Sequence, residues 1–412
     1  MLELVDPRDG RTFELLALEN PQRFGGSDVM NRISYDSSVQ RGELRYALRK
    51  ALNDELRDLY ARRGIDRRDV FEIVVVGNTT MRDLLFGLDV APIGERPYRS
   101  TTELEWRAGA RHTTALVAAA HELGLWAHPQ ARVWGAPLIA GHVGADVAAD
   151  LIAVGLDADA EGVSMLVDVG TNTEVVLVGH GRILAASCPA GPAFEGGEAT
   201  FGMQAAQGAI ESVRMRPDGS FDVVTIGGGE RLGLCGSALI DLLAELRRND
   251  AMTAKGVFGH RVRELEVVPA HGITLSRADA SALAQAKAAN TVGQQILLRE
   301  LGVEAAEVDR LFLAGGFARH IDVANAIAIG FHAPVPLDHV VKVGNASLAG
   351  ARELLLNVPA RARLEPLARR VEHIELETTP DFFDLFVDGC QFKPVMATRS
   401  AASDPTDRRR AA

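Results

Sequence analysis

The chain is poor in cysteine: among 412 residues only Cys188, Cys235 and Cys390 occur, far apart and without a C-x-x-C pair. That spacing suits neither a disulfide framework nor a cysteine-built zinc site, and a reducing compartment fits it best. Net positive charge is lacking too, because 55 Asp and Glu outweigh 44 Lys and Arg to leave a formal charge of −11. General binding to nucleic acid or an anionic membrane needs clustered cations, so small molecules or proteins are the expected partners. No window reaches 18 consecutive apolar residues, and the opening MLELVDPRDG is acidic where a signal peptide is basic and then apolar. The expectation is a soluble cytoplasmic protein. Also missing are G-x-x-x-x-G-K-[ST] and G-x-G-x-x-G, so Walker-type and Rossmann phosphate loops are not supported. No H-E-x-x-H occurs, and the eleven histidines read as surface or satisfied core residues.

What is present is ordinary globular usage, 47% hydrophobic and 24% charged, over a length that suits two domains with real cores. Leu44, Leu48, Ala51, Leu52, Leu56, Leu59 and Tyr60 form an apolar helical stripe that Gly64 ends. Phe71–Val76 reads as a buried strand, followed by a Gly77-Asn78-Thr79-Thr80 turn and a helix from Met81. Thr113 to Leu123 reads as another helix, and Gly141 to Asp146 opens an Ala-rich one that runs to about Val154. The Gly- and Asp-rich stretch Gly155–Gly162 is the expected boundary, dividing the chain into 1–155 and 156–396, with a polar, disordered tail at 397–412. The second part should contain a hairpin from Met165 to Ser187 and helices at Ala199–Val213, Ser237–Arg248 and Arg277–Leu301. The strand Arg310–Ala314 then stops at Gly315-Gly316. Strands alternating with helices argue for α/β layers in both parts, each a mixed sheet flanked by helices.

Three polar, glycine-containing turns stand at strand ends: Gly77–Thr80, Asp168–Thr173 and Ala314–Phe317. Glycine lets a backbone approach a phosphate, and successive N–H groups with Thr hydroxyls form an anion-binding concavity. Asp168 is placed to hold Mg²⁺ through water, since magnesium favours one or two carboxylates plus phosphate oxygens. The plainer reading of each turn is a tight connection whose Asn or Thr bonds its own backbone, and both readings stay open. The Gly227–Gly236 stretch leads into a helix where Ser237 either caps or helps receive an anion. Two prolines and three glycines make Cys188–Gly197 non-helical, a candidate lid or docking loop whose only charged side chain is Glu195.

The ordered stretches NPQRFGGSDV, VGNTTMRDLLFGL, AGHVGADVAADLIA, LVDVGTNTEVVL, CPAGPAFEGGEATFGMQAAQGAIESV, LGLCGSALIDLLAEL, LFLAGGFARHIDVANAIAIG and VGNASLAGARELLL resemble the reductive activators of corrinoid proteins. The match runs from about residue 3 to Pro394. The resemblance implies a two-domain ATPase of the actin, sugar-kinase and Hsp70 fold, which uses ATP to help drive a low-potential electron onto cob(II)alamin in corrinoid methyltransferases. It implies a second phosphate loop at Asp168, Gly170, Thr171, Asn172 and Glu174, with Asp168 catalytic and facing Mg²⁺. It places an adenosine motif at Gly315, Gly316 and Phe317, Lys287 in the nucleotide pocket, and a hinge at Gly344 and Asn345. The implied partners are a corrinoid protein or methyltransferase and a low-potential electron donor, and a homodimer is compatible with it.

Three departures accompany the resemblance. The family opens its first ATPase domain on a strand bearing Asp-x-Gly-Thr-Thr, which would precede Met1, so the first domain is expected to be truncated. The family also carries an N-terminal [2Fe–2S] domain with C-x₄-C-x₂-C…C spacing, which these cysteines cannot supply and which is expected only in a full-length parent. Thr173 stands where the family has glycine, and a β-branched residue disfavours positive φ. The chain is therefore expected to be the nucleotide-binding activator portion, as a fragment, a mis-started reading frame or a natural truncated protein. It would act as an ATPase if the missing part is present. The rivals are a non-catalytic module that docks a corrinoid protein and a small-molecule kinase of the same superfamily.

Overall fold

Sheet order explains the placement of the turns, and it is read here from a computed structural model that describes residues 1–26, 28–191, 193–259, 262–316 and 318–395. The chain forms two units: Met1–Ala158 with Asn345–His373, and Asp159–Gly344 with the segment from Ile374 onward. The stretch 345–373, expected with the second domain, lies with the first unit.

In the first unit, strand Arg132–Gly135 is central, with Glu72–Val75 parallel on one side and Leu116–Ala119 antiparallel on the other. The long helix spans Glu43–Arg63 and closes at Gly64, whose left-handed φ of 63° satisfies the last turn. Helix Ala346–Leu356 packs on helix Ala145–Val154 with almost no gap, because a Cβ at Gly350 would lie 2.0 Å from the Ala149 carbonyl oxygen. Arg82 staples the interior: its buried guanidinium donates to the carbonyls of Thr114 and Ala136, to the Thr102 hydroxyl and to Asp83. Burial pushes Arg82 down and Asp83 up, and their 2.7 Å contact opposes both shifts.

The expected helix Thr113–Leu123 is instead the strand Leu116–Ala119 and a single turn, Ala120–Leu123. Pairing of Leu116–Ala119 with Arg132–Gly135 satisfies its backbone and overrides the helix preference of alanine.

In the second unit the central sheet runs in the order Val340–Gly344, Arg310–Ala314, Ser164–Val169, Thr173–Gly179, Arg182–Cys188. The first three of these strands are parallel, and the last three form an antiparallel meander where a hairpin was expected. Thr173–Gly179 is buried along its whole length, so the sheet is covered on both faces. Helix Arg277–Leu301 packs on it, opened by a capping box between Ser276 and Asp279. A Cβ at Gly293 of this helix would meet the Cys188 sulfur at 2.2 Å, so glycine sets the helix-to-sheet distance. Each fully buried Val or Leu of this core contributes about 1.5–3 kcal/mol.

The expected helix Ala199–Val213 does not form: the chain is irregular to Gly208 and then becomes the strand Ala209–Met215. Gly208 has φ +88°, and the strand pairs antiparallel with Phe221–Thr225 and parallel with Gly233–Leu234. Left-handed glycine and strand pairing together outweigh the Ala- and Gln-rich local pattern.

Candidate nucleotide-binding site

Parallel neighbours in a sheet bring their carboxyl ends to one edge, and ligands of open α/β sheets bind there. Ala314 is in register with Asp168 and with Gly344, so the turns that follow three adjacent strands stand side by side. The Asp168–Thr173 turn, Gly315-Gly316 and Gly344 thus meet, although 176 positions separate the first of these residues from the last (344 − 168).

Gly315 is the closest-packed point of this edge. It has φ +105°, its N–H donates to the Gly344 carbonyl at 2.9 Å, and a Cβ would stand 2.2 Å from the Val169 carbonyl oxygen. Gly316 faces open space. The result is a stretch of bare backbone at Gly315 and Gly316 that, among the described residues, leaves room for a phosphate or sugar to approach. Phe317 lies outside the described residues.

The Asp168–Glu174 register makes these two carboxylates cross-strand neighbours on one face of the sheet. Asp168 is half-buried, and Glu174 is buried and accepts from the Ser187 hydroxyl at 3.3 Å. Like charges placed opposite each other are unfavourable, and a divalent cation relieves that repulsion. Among the described residues no cluster of three or more His, Cys, Asp or Glu could hold a metal ion. Two carboxylates alone would leave most of a Mg²⁺ shell to phosphate oxygens and water.

The turn between them is held by a bond from the Gly170 N–H to the Asn172 carbonyl. Thr171 and Asn172 are half-buried, and the Thr171 hydroxyl donates to Glu195 Oε2 at 2.6 Å. Thr173 raises no backbone problem. It is the first residue of an extended strand, outside the left-handed region, where a β-branched side chain is favoured. Its Oγ1 is buried without a hydrogen-bond partner among the described residues, at the base of the turn.

The other candidates are placed differently. Lys287 is fully buried, with its ammonium 3.4 Å from the Gly330 carbonyl, and it makes no hydrogen bond to the three turns among the described residues. Desolvation pushes it down to about 8, against the charges of Cys390 and Asp388. Gly344 ends its strand with φ +68°, and Asn345 caps the next helix by accepting from the Leu348 N–H at 2.8 Å. The division between the two units falls between these two residues.

The Gly77–Thr80 turn belongs to the first unit, where its groups serve the fold. Asn78 caps the helix Thr79–Phe86 through the Met81 N–H, Thr79 donates to the Ala140 carbonyl, and the Gly77 carbonyl receives the Ala145 N–H. Ser237 is not a cap either: Cys235 holds that position, and the Ser237 hydroxyl donates to the Glu211 carbonyl at 2.7 Å. Cys188 and Cys235 are buried core residues; burial pushes the Cys188 thiol up, reinforced by the Glu174 charge.

Sequence reasoning missed what Glu195 faces. Its loop was conspicuous for proline and glycine, but no local pattern pairs residue 195 with residue 171. Nor did any signal mark Asp146, half-buried at the start of helix Ala145–Val154. Burial pushes its carboxyl up to about 6, against the Val147 N–H that it accepts.

Comparison with known proteins bears on this geometry. Residues 162–401 match the profile described as the C-terminal domain of RACo, the ASKHA domain, and residues 1–159 match the RACo middle region. The chain belongs to the RACo family. A corrinoid activation enzyme, RamQ, of Eubacterium limosum is 28% identical over 94% of this chain and 68% of its own length. A [Co(II) methylated amine-specific corrinoid protein] reductase of Methanosarcina barkeri is 24% identical over 88% of this chain and 69% of its own. The solved structure of a reductive activator for corrinoid,iron-sulfur protein superposes with a TM-score of 0.85 at 31% identity. That superposition covers 95% of this chain and 64% of the other, so the chain spans less than two thirds of that family member. The mixed sheets flanked by helices are the ASKHA, actin-like ATPase fold. Among the described residues no helix is long and apolar enough to cross a membrane.

Proposed function

We propose that this chain is the nucleotide-binding portion of an ATP-dependent reductive activator of corrinoid proteins. The observation that carries the reading is the edge where Asp168–Thr173, Gly315-Gly316 and Gly344 meet, with Asp168 and Glu174 opposed across two strands. The names of the relatives support a corrinoid protein as partner, and the ASKHA match supports a nucleotide.

In this reading Asp168 and Glu174 hold the cation, Asp168 through water. The Gly170, Thr171 and Asn172 turn receives phosphates, the Gly315-Gly316 cradle receives the adenosine with Phe317, and Lys287 stands behind the pocket. Bound Mg-ATP supplies phosphoryl charge whose loss on hydrolysis shifts a conformational equilibrium, with little covalent chemistry asked of the protein. Gly344 and Asn345 act as a hinge, one in each unit. The cobalt is substrate: one electron from a low-potential donor reduces Co(II) to Co(I).

Calorimetry with ATP and Mg²⁺ is the first test. Binding that weakens about tenfold or more in Asp168→Asn supports the site. ATP-dependent loss of the cob(II)alamin absorbance of a corrinoid protein, with a low-potential reductant present, supports the activity. No nucleotide binding would turn the chain into a docking module. Phosphoryl transfer to a small acceptor, with the cobalt untouched, would make it a kinase.

A further inference from the structure

Glu195 is held against the phosphate turn by a built loop. Ala193 and Phe194 are buried just before it, and the Phe194 ring packs edge-on against Phe331 at 5.0 Å. Just after it, Gly196 has φ +86°, and a Cβ there would lie 2.3 Å from the Met203 nitrogen. Beyond that, Thr200 is tied through its N–H and hydroxyl to Asp279 at 2.8 and 2.9 Å. Both flanks of Glu195 are thereby fixed, and its carboxylate accepts the Thr171 hydroxyl at 2.6 Å, the length of a charge-assisted bond.

A threonine hydroxyl has one proton to donate. While Glu195 receives it, Thr171 has none for a phosphate oxygen, and a phosphate approaching the turn also meets the Glu195 carboxylate. Resting on the nucleotide-binding reading above, we propose that Glu195 is a positioning residue that withholds Thr171 from metal-free nucleotide and so makes binding depend on a divalent cation. A cation offsets the carboxylate charge, so Glu195 costs affinity for bare nucleotide and costs little for the Mg²⁺ complex. The site thereby selects the metal complex over the bare nucleotide.

The test is calorimetry with ADP, in EDTA and in Mg²⁺, on the wild-type chain and on Glu195→Gln and Glu195→Ala. Removing the charge should raise metal-free affinity about tenfold. The ratio of the EDTA to the Mg²⁺ dissociation constant should shrink by a similar factor, and thermal melting should confirm that each variant folds. In Thr171→Val, which has no hydroxyl to withhold, the Glu195→Ala gain should fall by half or more on a logarithmic scale. Variants that bind ADP like the wild type, with an unchanged metal ratio, would overturn the role of Glu195 and leave the nucleotide reading standing. A full gain that persists in Thr171→Val would overturn the withholding. No ADP binding by any chain, with or without metal, would overturn both readings.

Discussion

Gly315 and His332 show how much a single position carries. At Gly315 both φ +105° and the 2.2 Å approach to the Val169 carbonyl oppose any side chain. Gly315→Ala should therefore cost about 2 kcal/mol or more, read by chemical denaturation, and should abolish nucleotide binding. His332 is fully buried, packed edge-on against Phe331 at 4.9 Å, and among the described residues neither ring nitrogen has a hydrogen-bond partner. It is a core histidine, as the sequence suggested for the group, but not a satisfied one. Desolvation lowers it to about 3 from the ordinary 6.5. The folded imidazole is thus the weaker base, and between those values the unfolded chain binds more protons. The sign follows: stability is fully present above pH 6.5 and declines as pH falls toward 3. His332→Leu should remove that part of the acid slope and stabilise the protein by about 1–2 kcal/mol at pH 7, checked by melts from pH 7 to pH 4.

Among elements, the strongly periodic or strongly punctuated ones were legible. The helix Arg277–Leu301 and the strand Arg310–Ala314 have the bounds expected of them, because a cap, a long apolar stripe and Gly315 mark their ends locally. Leu116–Ala119 and Ala209–Met215 were not legible, because each owes its extended form to pairing with other strands, against an alanine-rich local pattern that favours helix. Asp279 joins the two kinds of element. It caps the long helix through the Ser276 N–H and holds Thr200 in the irregular segment. Burial works to raise its carboxyl, and the hydrogen bonds from Ser276 and Thr200 outweigh that and lower it. Asp279→Ala should cost about 1–2 kcal/mol in denaturant titration. Hydrogen exchange should speed up at Thr200 and in the first turn of the helix, while the Glu43–Arg63 helix keeps its protection.

For the whole molecule, the first unit is discontinuous in sequence. Its helix Ala346–Leu356 packs on Ala145–Val154 at Gly350, and Arg361 reaches Glu72 at 2.5 Å and stacks on Trp134 at 5.1 Å. Residues 1–158 expressed without residues 345–373 should therefore lack a cooperative unfolding transition by circular dichroism. Adding the 345–373 peptide should restore it. A cooperative transition in 1–158 alone would show that the returning segment is dispensable. No composition shift near residue 345 announces the return, since α/β patterning continues across it, and only the long-range packing assigns the segment to its unit.

The sequence by itself determined the glycine and carboxylate content of the site, the family to which those motifs point, and the elements whose ends are set by local caps and breakers. The tertiary structure decided which turns share an edge, that Asp168 and Glu174 oppose each other, that Thr171 is bound by Glu195, and which unit owns 345–373. The physical reason is range. Capping, periodicity and glycine conformation act over a few residues, whereas strand register and side-chain approach exist only once segments far apart in the chain have packed.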